Sequence, residues 1–173
     1  MFGEDSPIWS FLMCFGGPAD PIAPVSNTRV FETYPALAMI ALGWIVPDSR
    51  PTGQLPKYNP ARRKTFSISD WRYVCALASE FFKNRNLTTI VDWIESTAVK
   101  EKPRKSDQDR LDACLCLLVA LYLAERNDFL MVGNLDSGYM VVPNCESLRA
   151  ELETRCRKTG REPSQWMRKF QMA

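Results

Sequence analysis

Histidine is absent from all 173 residues. Without an imidazole, Ser-His-Asp and Cys-His nucleophilic sites, His-ligated zinc hydrolases and His-Cys-Cys zinc deaminases are excluded. Chemistry must run on carboxylates, lysine, hydroxyls or thiols. A C-x-x-C pair is also missing. The six cysteines, Cys14, Cys75, Cys114, Cys116, Cys145 and Cys156, have no zinc-knuckle or thioredoxin-like spacing. Cys114 and Cys116 lie two apart in an apolar helical run and point to nearly opposite faces, so they cannot chelate together. All are read as reduced thiols packed as small hydrophobes. The longest apolar run, Ala113 to Ala124, is well short of the ~20 residues that span a bilayer. No basic-then-apolar leader with a small-residue cleavage site opens the chain. These absences lead us to expect a cytoplasmic protein with no membrane partner. Gly16-Gly17 is not followed by Gly-Lys-Ser/Thr, so it is no phosphate loop. No lysine sits in an apolar run as a Schiff-base lysine would.

The composition is that of a soluble globular chain, 46% hydrophobic and 24% charged with a net charge of +2, and the length suits one core. Ser6-Pro7 starts a short helix that Gly16-Gly17 stops. Pro18, Pro21 and Pro24 make an extended connection to a β-branched and aromatic strand near 29–34, and Pro35 then opens a short buried helix ended by Gly43. Strand, turn and helix form a compressed βα unit of the kind that builds α/β sheets. Residues 47–64 read as a long surface loop. Ser69 is expected to cap a helix with the stripe Trp71, Val74, Cys75, Ala78, Phe81 and Phe82, and a second helix runs from Thr88 with Val91, Ile94 and Ala98 inward. Ser106 with Asp109 has capping-box spacing, and the helix it opens becomes apolar on every face, which predicts burial on all sides. Phe129–Val132 and Tyr139–Val142 flank a turn and predict a hairpin near 129–142. A final helix carries Leu148, Leu152 and Cys156, and Pro163 to Phe170 add a further turn or two.

Two acidic features adjoin apolar sequence. Glu32 stands at the carboxyl end of the predicted strand, where open α/β sheets place ligands. It is either a solvent-facing edge residue or a carboxylate whose burial demands a cation. Asp109 and Asp112 share one helix face just before the apolar segment. The macrodipole accounts for Asp107 in the first turn, and less well for Asp112 one turn further on. Hard oxygen ligands from this helix and from a strand carboxylate would suit Mg²⁺ or Mn²⁺. Lys57, Arg62, Arg63 and Lys64 cluster beside Tyr58, and Lys100, Lys102, Arg104 and Lys105 form a second basic connection. Both are solvated loops or phosphate contacts.

Val30-Phe-Glu-Thr-Tyr-Pro35 with its Ala/Leu helix, Lys57-Tyr58, Asp109-Arg-Leu-Asp-Ala113 opening an apolar helix, and Asp136-Ser-Gly-Tyr139 with Val-Val-Pro143 together resemble a family of bacterial and archaeal predicted nucleases with an RNase H-like, RuvC-type fold. The resemblance implies a metal-dependent nuclease in which carboxylates hold Mg²⁺ or Mn²⁺ for phosphodiester hydrolysis. Glu32 falls on the family's fourth-strand acid, and Asp112, with Asp109 one turn earlier, on the late-helix acid. These three are the implied catalytic and metal-binding residues. Lys57, Arg62, Arg63 and Lys64 become the implied contacts to DNA or RNA. The family's first-strand aspartate has no counterpart, because Asp5 and Asp20 stand beside prolines outside any strand pattern. The chain is thus expected to be an N-terminally truncated, helix-rich α/β RNase H-like domain over 1–160, with a tail at 161–173. It is either a nuclease or a non-catalytic nucleic-acid- or protein-binding derivative. An unpaired strand edge predicts a homo-oligomer, or a partner chain supplying the missing strands.

Overall fold

A computed structural model describes residues 32–47, 53–125, 128–134 and 138–170. The predicted helix at Ser6, most of the strand near 29–34 and the hairpin tip at 135–137 lie outside the described residues. The elements in chain order are α1 (Pro35–Ala41), α2 (Ile68–Lys83), α3 (Thr88–Ala98), α4 (Lys105–Glu125), β1 (Phe129–Asn134), β2 (Gly138–Pro143), α5 (Glu146–Lys158), α6 (Pro163–Trp166) and β3 (Met167–Phe170). The described part is therefore α/β, with an antiparallel sheet ordered β2-β1-β3.

The predicted hairpin is present, with Leu130 opposite Val142 and Met131 opposite Val141. Gly133 has φ +117°, and a Cβ there would meet the Gly138 carbonyl oxygen at 2.3 Å, so the close crossing of the two strands requires glycine. The stretch expected as a tail supplies α6 and then β3, which pairs with β1 from Val132↔Met167 to Phe129↔Phe170.

Strand alternation divides the core into layers. Leu130, Val142 and Met167 pack with Leu148 and Leu152 of α5. Phe129, Met131 and Val141 pack with Val119 and Leu123 of α4 on the opposite face. The far side of α4 carries Leu111, Leu115 and Leu118 into a larger cluster with Trp71, Val74, Phe82 and Ile94 of α2 and α3. Helix α4 is thus held between the sheet and a helical pair. It is not buried on all sides as its composition predicted. Ala113, Ala120 and Ala124 are exposed, and Leu117 is 40% exposed. Among the described residues, two packed layers cover two faces of α4 and leave a third, mostly alanine, exposed. Alanine exposes little apolar area, so the cost is small.

Two predicted caps move. Ser67, not Ser69, caps α2, its hydroxyl accepting from the Asp70 N–H at 3.2 Å. Helix α4 starts at Lys105, and its N-terminus is closed by Asp107 rather than by Ser106 and Asp109. The Arg104 N–H donates to Asp107 Oδ2 at 2.8 Å, and Lys100 Nζ lies 2.7 Å from Oδ1. A carboxylate in the first turn satisfies an orphan amide and opposes the positive end of the dipole. The Arg104 amide and then Lys100 hold the Asp107 carboxyl below the usual carboxylate range. A lowered value in the folded state means stabilisation that is present above about pH 4, the unfolded value, and is lost on acidification. Asp107→Ala should cost about 1–2 kcal/mol at neutral pH, and urea denaturation should show the difference shrinking toward about pH 2. A pH-independent difference would disprove the assignment. Among the described residues no helix is long and apolar enough to cross a membrane.

Candidate functional site

The loop before α2 is tied to that helix through one residue. The Lys57 N–H donates to Asp70 Oδ2 at 2.7 Å, and its carbonyl accepts from the Ser67 N–H at 2.8 Å. Clamped on both sides, the backbone turns the next side chain inward, and Tyr58 is buried. Its hydroxyl donates to Asp112 Oδ1 at 2.7 Å. Gln108, one turn earlier on α4, donates through Nε2 to Asp112 Oδ2 at 2.6 Å. Lys105 Nζ in turn donates to Gln108 Oε1 at 2.7 Å, which orients the amide so that its NH₂ faces the carboxylate.

A cavity of about 250 Å³ opens over this carboxylate, with Asp112, Tyr58, Gln108, Lys57, Arg62, Asn59 and Tyr34 among its walls. Asp112 is half-buried. Burial raises its pKa, only partly offset by the hydrogen bonds from Tyr58 and Gln108, and the net shift is upward. Burial and the adjacent Asp112 charge push the Tyr58 hydroxyl far above its ordinary value, so it remains a proton donor throughout the working pH range. The site therefore presents a carboxylate fixed by two neutral donors, with cationic side chains at the rim.

Of the three acids expected to act together, only Asp112 lines this cavity. Asp109 is exposed and ion-paired with Lys105 one turn back. Glu32 is exposed; its carbonyl accepts from the Val141 N–H at 2.8 Å, which sets it against the outer edge of β2. Residues 32 and 33 themselves are not in a strand. Among the described residues no three His, Cys, Asp or Glu side chains converge as a metal-holding group. Lys57 and Arg62 line the cavity, whereas Arg63 and Lys64 are exposed beside it. Tyr58 stood in the sequence as a neighbour of basic residues. Its role needed the contact across 54 positions. Gln108 was overlooked, although its i,i+4 spacing to Asp112 is a readable signal.

Thiol chemistry finds no support at this site. Burial pushes Cys75 up to about 12 and also raises Cys114 and Cys116, so these sulfurs stay protonated and weakly nucleophilic.

The sequence model of a family described as "Protein of unknown function (DUF429)" matches residues 18–132, a span that contains α1 to α4 and the whole Asp112 cavity. No curated protein and no solved structure matches the chain. Helices α5 and α6 and strands β2 and β3 lie beyond the matched span. The match covers well over half of the chain, which therefore belongs to the DUF429 family.

Proposed function

We propose that the chain is an RNase H-like, metal-dependent nuclease of the cytoplasm, acting on DNA or RNA at the Asp112 cavity. The observation that carries this reading is a half-buried carboxylate, held by Tyr58 and Gln108, facing a cavity with Lys57 and Arg62 in its wall. Cations at the rim suit a phosphodiester backbone. A desolvated carboxylate gains when a divalent ion approaches. Mg²⁺ is commonly held by only one or two carboxylates together with the phosphates of the substrate, so Asp112 fits as the first ligand. Glu32 and Asp109 are the proposed further ligands, and each must turn toward the cavity to serve. A bound ion would polarise the phosphodiester and activate water. The protein's own part is to hold Asp112 in one orientation and to meet phosphate charge with Lys57 and Arg62.

Mn²⁺ titration by calorimetry, with and without a cleavage-resistant oligonucleotide, tests this. Binding should be weak alone and tighter with the oligonucleotide, and Asp112→Asn should weaken it by roughly tenfold or more, since losing even an outer partner of a metal ligand costs about 10–100-fold. Unchanged Mn²⁺ binding in that variant would rule out the site. The second reading is a non-catalytic nucleic-acid-binding derivative. It is favoured by the absence of a three-acid group among the described residues, and it expects salt-sensitive binding with no metal requirement. Association of the chain with itself, or with a partner that extends its sheet, belongs to the same proposal. Sedimentation velocity would reveal it.

A further inference from the structure

The C-terminal end of the chain is far more basic than the rest. Between Arg155 and Lys169 there are six cations and one acid, Glu162, a net +5 within a chain whose total is only +2. All six cations are exposed. Those in the last turn of α5 also complement the helix dipole, which accounts for Arg155, Arg157 and Lys158. It does not account for Arg161, Arg168 and Lys169, which follow the helix. Arg155 and Arg157 are paired with Glu151 and Glu153 at i,i+4 spacing, at 2.8 and 3.3 Å. Such exposed pairs are weak and exchange readily for a phosphate. Lys158 and Arg161 have no acidic partner among the described residues, and Lys169 is paired with Asp128 at 3.3 Å. Arg168 stands opposite Met131 and therefore lies on the α4 side of the sheet, so it does not belong to this face.

The shape of this face matches its charge. A cavity of about 350 Å³ between α5, α6 and β3 is lined by Arg149, Arg157, Lys169 and Ser164, together with Glu153 and Glu162. On the other side of Met167, a second concavity is lined by Arg155, Arg161, Cys156 and Trp166. There the Arg161 guanidinium lies over the half-buried Trp166 ring at 4.7 Å. The guanidinium covers that ring face, so a base would stack on the Arg161 plane backed by Trp166 while the neighbouring cations meet phosphate. This face packs against the side of the sheet opposite α4, so it is separate from the Asp112 cavity.

We infer that the α5–α6–β3 face is a second nucleic-acid-binding surface that tracks the phosphate backbone of a strand. It shares a ligand class with the proposed function but uses none of its residues. The test is fluorescence anisotropy of a labelled oligothymidylate against the full chain over a salt series. The triple variant Arg157→Gln, Lys158→Gln, Arg161→Gln should lower the salt slope by about 2 and weaken binding roughly tenfold, while Mn²⁺ binding at Asp112 is unchanged. Trp166→Ala should weaken binding to the single strand several-fold more than binding to a duplex, because the duplex offers no unstacked base. Circular dichroism of each variant confirms that it is folded. If affinity and slope match the parent, or if loss is confined to a Lys57, Arg62, Arg63 and Lys64 variant, this surface is refuted while the Asp112 site stands. Equal or tighter binding to phosphatidylserine vesicles, with none to the oligonucleotide, likewise overturns it in favour of a membrane surface. Loss in the triple variant when Asp112→Asn has no effect on metal binding supports this surface and removes the nuclease reading.

Discussion

Trp71→Ala should remove about 3–5 kcal/mol of folding free energy, the largest single loss expected in this chain. Trp71 is fully buried in the first turn of α2, within the cluster that includes Val74, Phe82, Ile94, Leu111 and Leu115. Its Nε1–H donates to the Thr97 carbonyl oxygen at 3.3 Å, in the last turn of α3. Truncation removes the buried ring, opens a cavity between three helices, and leaves that carbonyl without its side-chain donor. Domains of this size are stable by about 5–15 kcal/mol, so the variant should be largely unfolded or shifted to a much lower urea midpoint. Trp71→Phe retains most of the packing and should lose much less. The damage should also reach the candidate site, because Asp70, next in the chain, holds the Lys57 N–H and thereby aims Tyr58. Equilibrium urea denaturation reads the outcome directly. A loss below about 1 kcal/mol would mean that the α2–α3–α4 cluster is not the main core.

Tyr58→Phe removes one oxygen atom and tests whether Asp112 is held as a desolvated anion. A hydrogen bond to a charged acceptor contributes about 1.5–3 kcal/mol, and that loss is expected near pH 7. The Asp112 pKa, already raised chiefly by burial, should rise further once a donor to its charged form is gone. The sign of the pH dependence follows. A carboxyl whose folded pKa exceeds its unfolded value binds more protons when folded, so its stabilising contribution is complete below about pH 4 and declines as pH rises through the folded value. In Tyr58→Phe this decline should extend to higher pH and become deeper. At about pH 3, with Asp112 protonated, the variant should differ from the parent by only about 0.5–1.5 kcal/mol, the value of a neutral bond. Carbon-detected NMR titration of the Asp112 carboxyl and urea melts at the two pH values together decide it. An unshifted carboxyl with a pH-independent stability loss would reduce Tyr58 to a packing residue.

Helix positions were legible wherever a single apolar stripe repeated over several turns. The stripes of α2 and α3 put Trp71, Val74, Cys75, Val91 and Ile94 in the core as their spacing required. The hairpin was legible from two short β-rich runs around a turn. Helix α4 was misjudged in its environment because an apolar surface does not reveal how many neighbours it has. Among the described residues, the sheet and the α2–α3 pair cover two faces of that helix, and Ala113, Ala120 and Ala124 lie on the face left exposed. The caps at Ser67 and Asp107 were missed by two residues or fewer, since several Ser and Asp side chains compete for the same amides and only backbone geometry selects among them.

The amino-acid sequence alone narrowed which chemistries are open: with no histidine, carboxylates, lysine, hydroxyls and thiols remained, and Asp112 was already marked by its place one turn into an apolar helix. The fold decided which of those groups meet. Asp112 faces a cavity while Asp109 pairs with Lys105 outside it, because residues three apart on a helix point about 60° apart and one packed neighbour suffices to bury the first and leave the second in water. The meeting of Tyr58 with Asp112, and of β3 with β1, depends on chain segments tens of residues apart. Such contacts are set by the packing of whole layers, to which no local pattern has access.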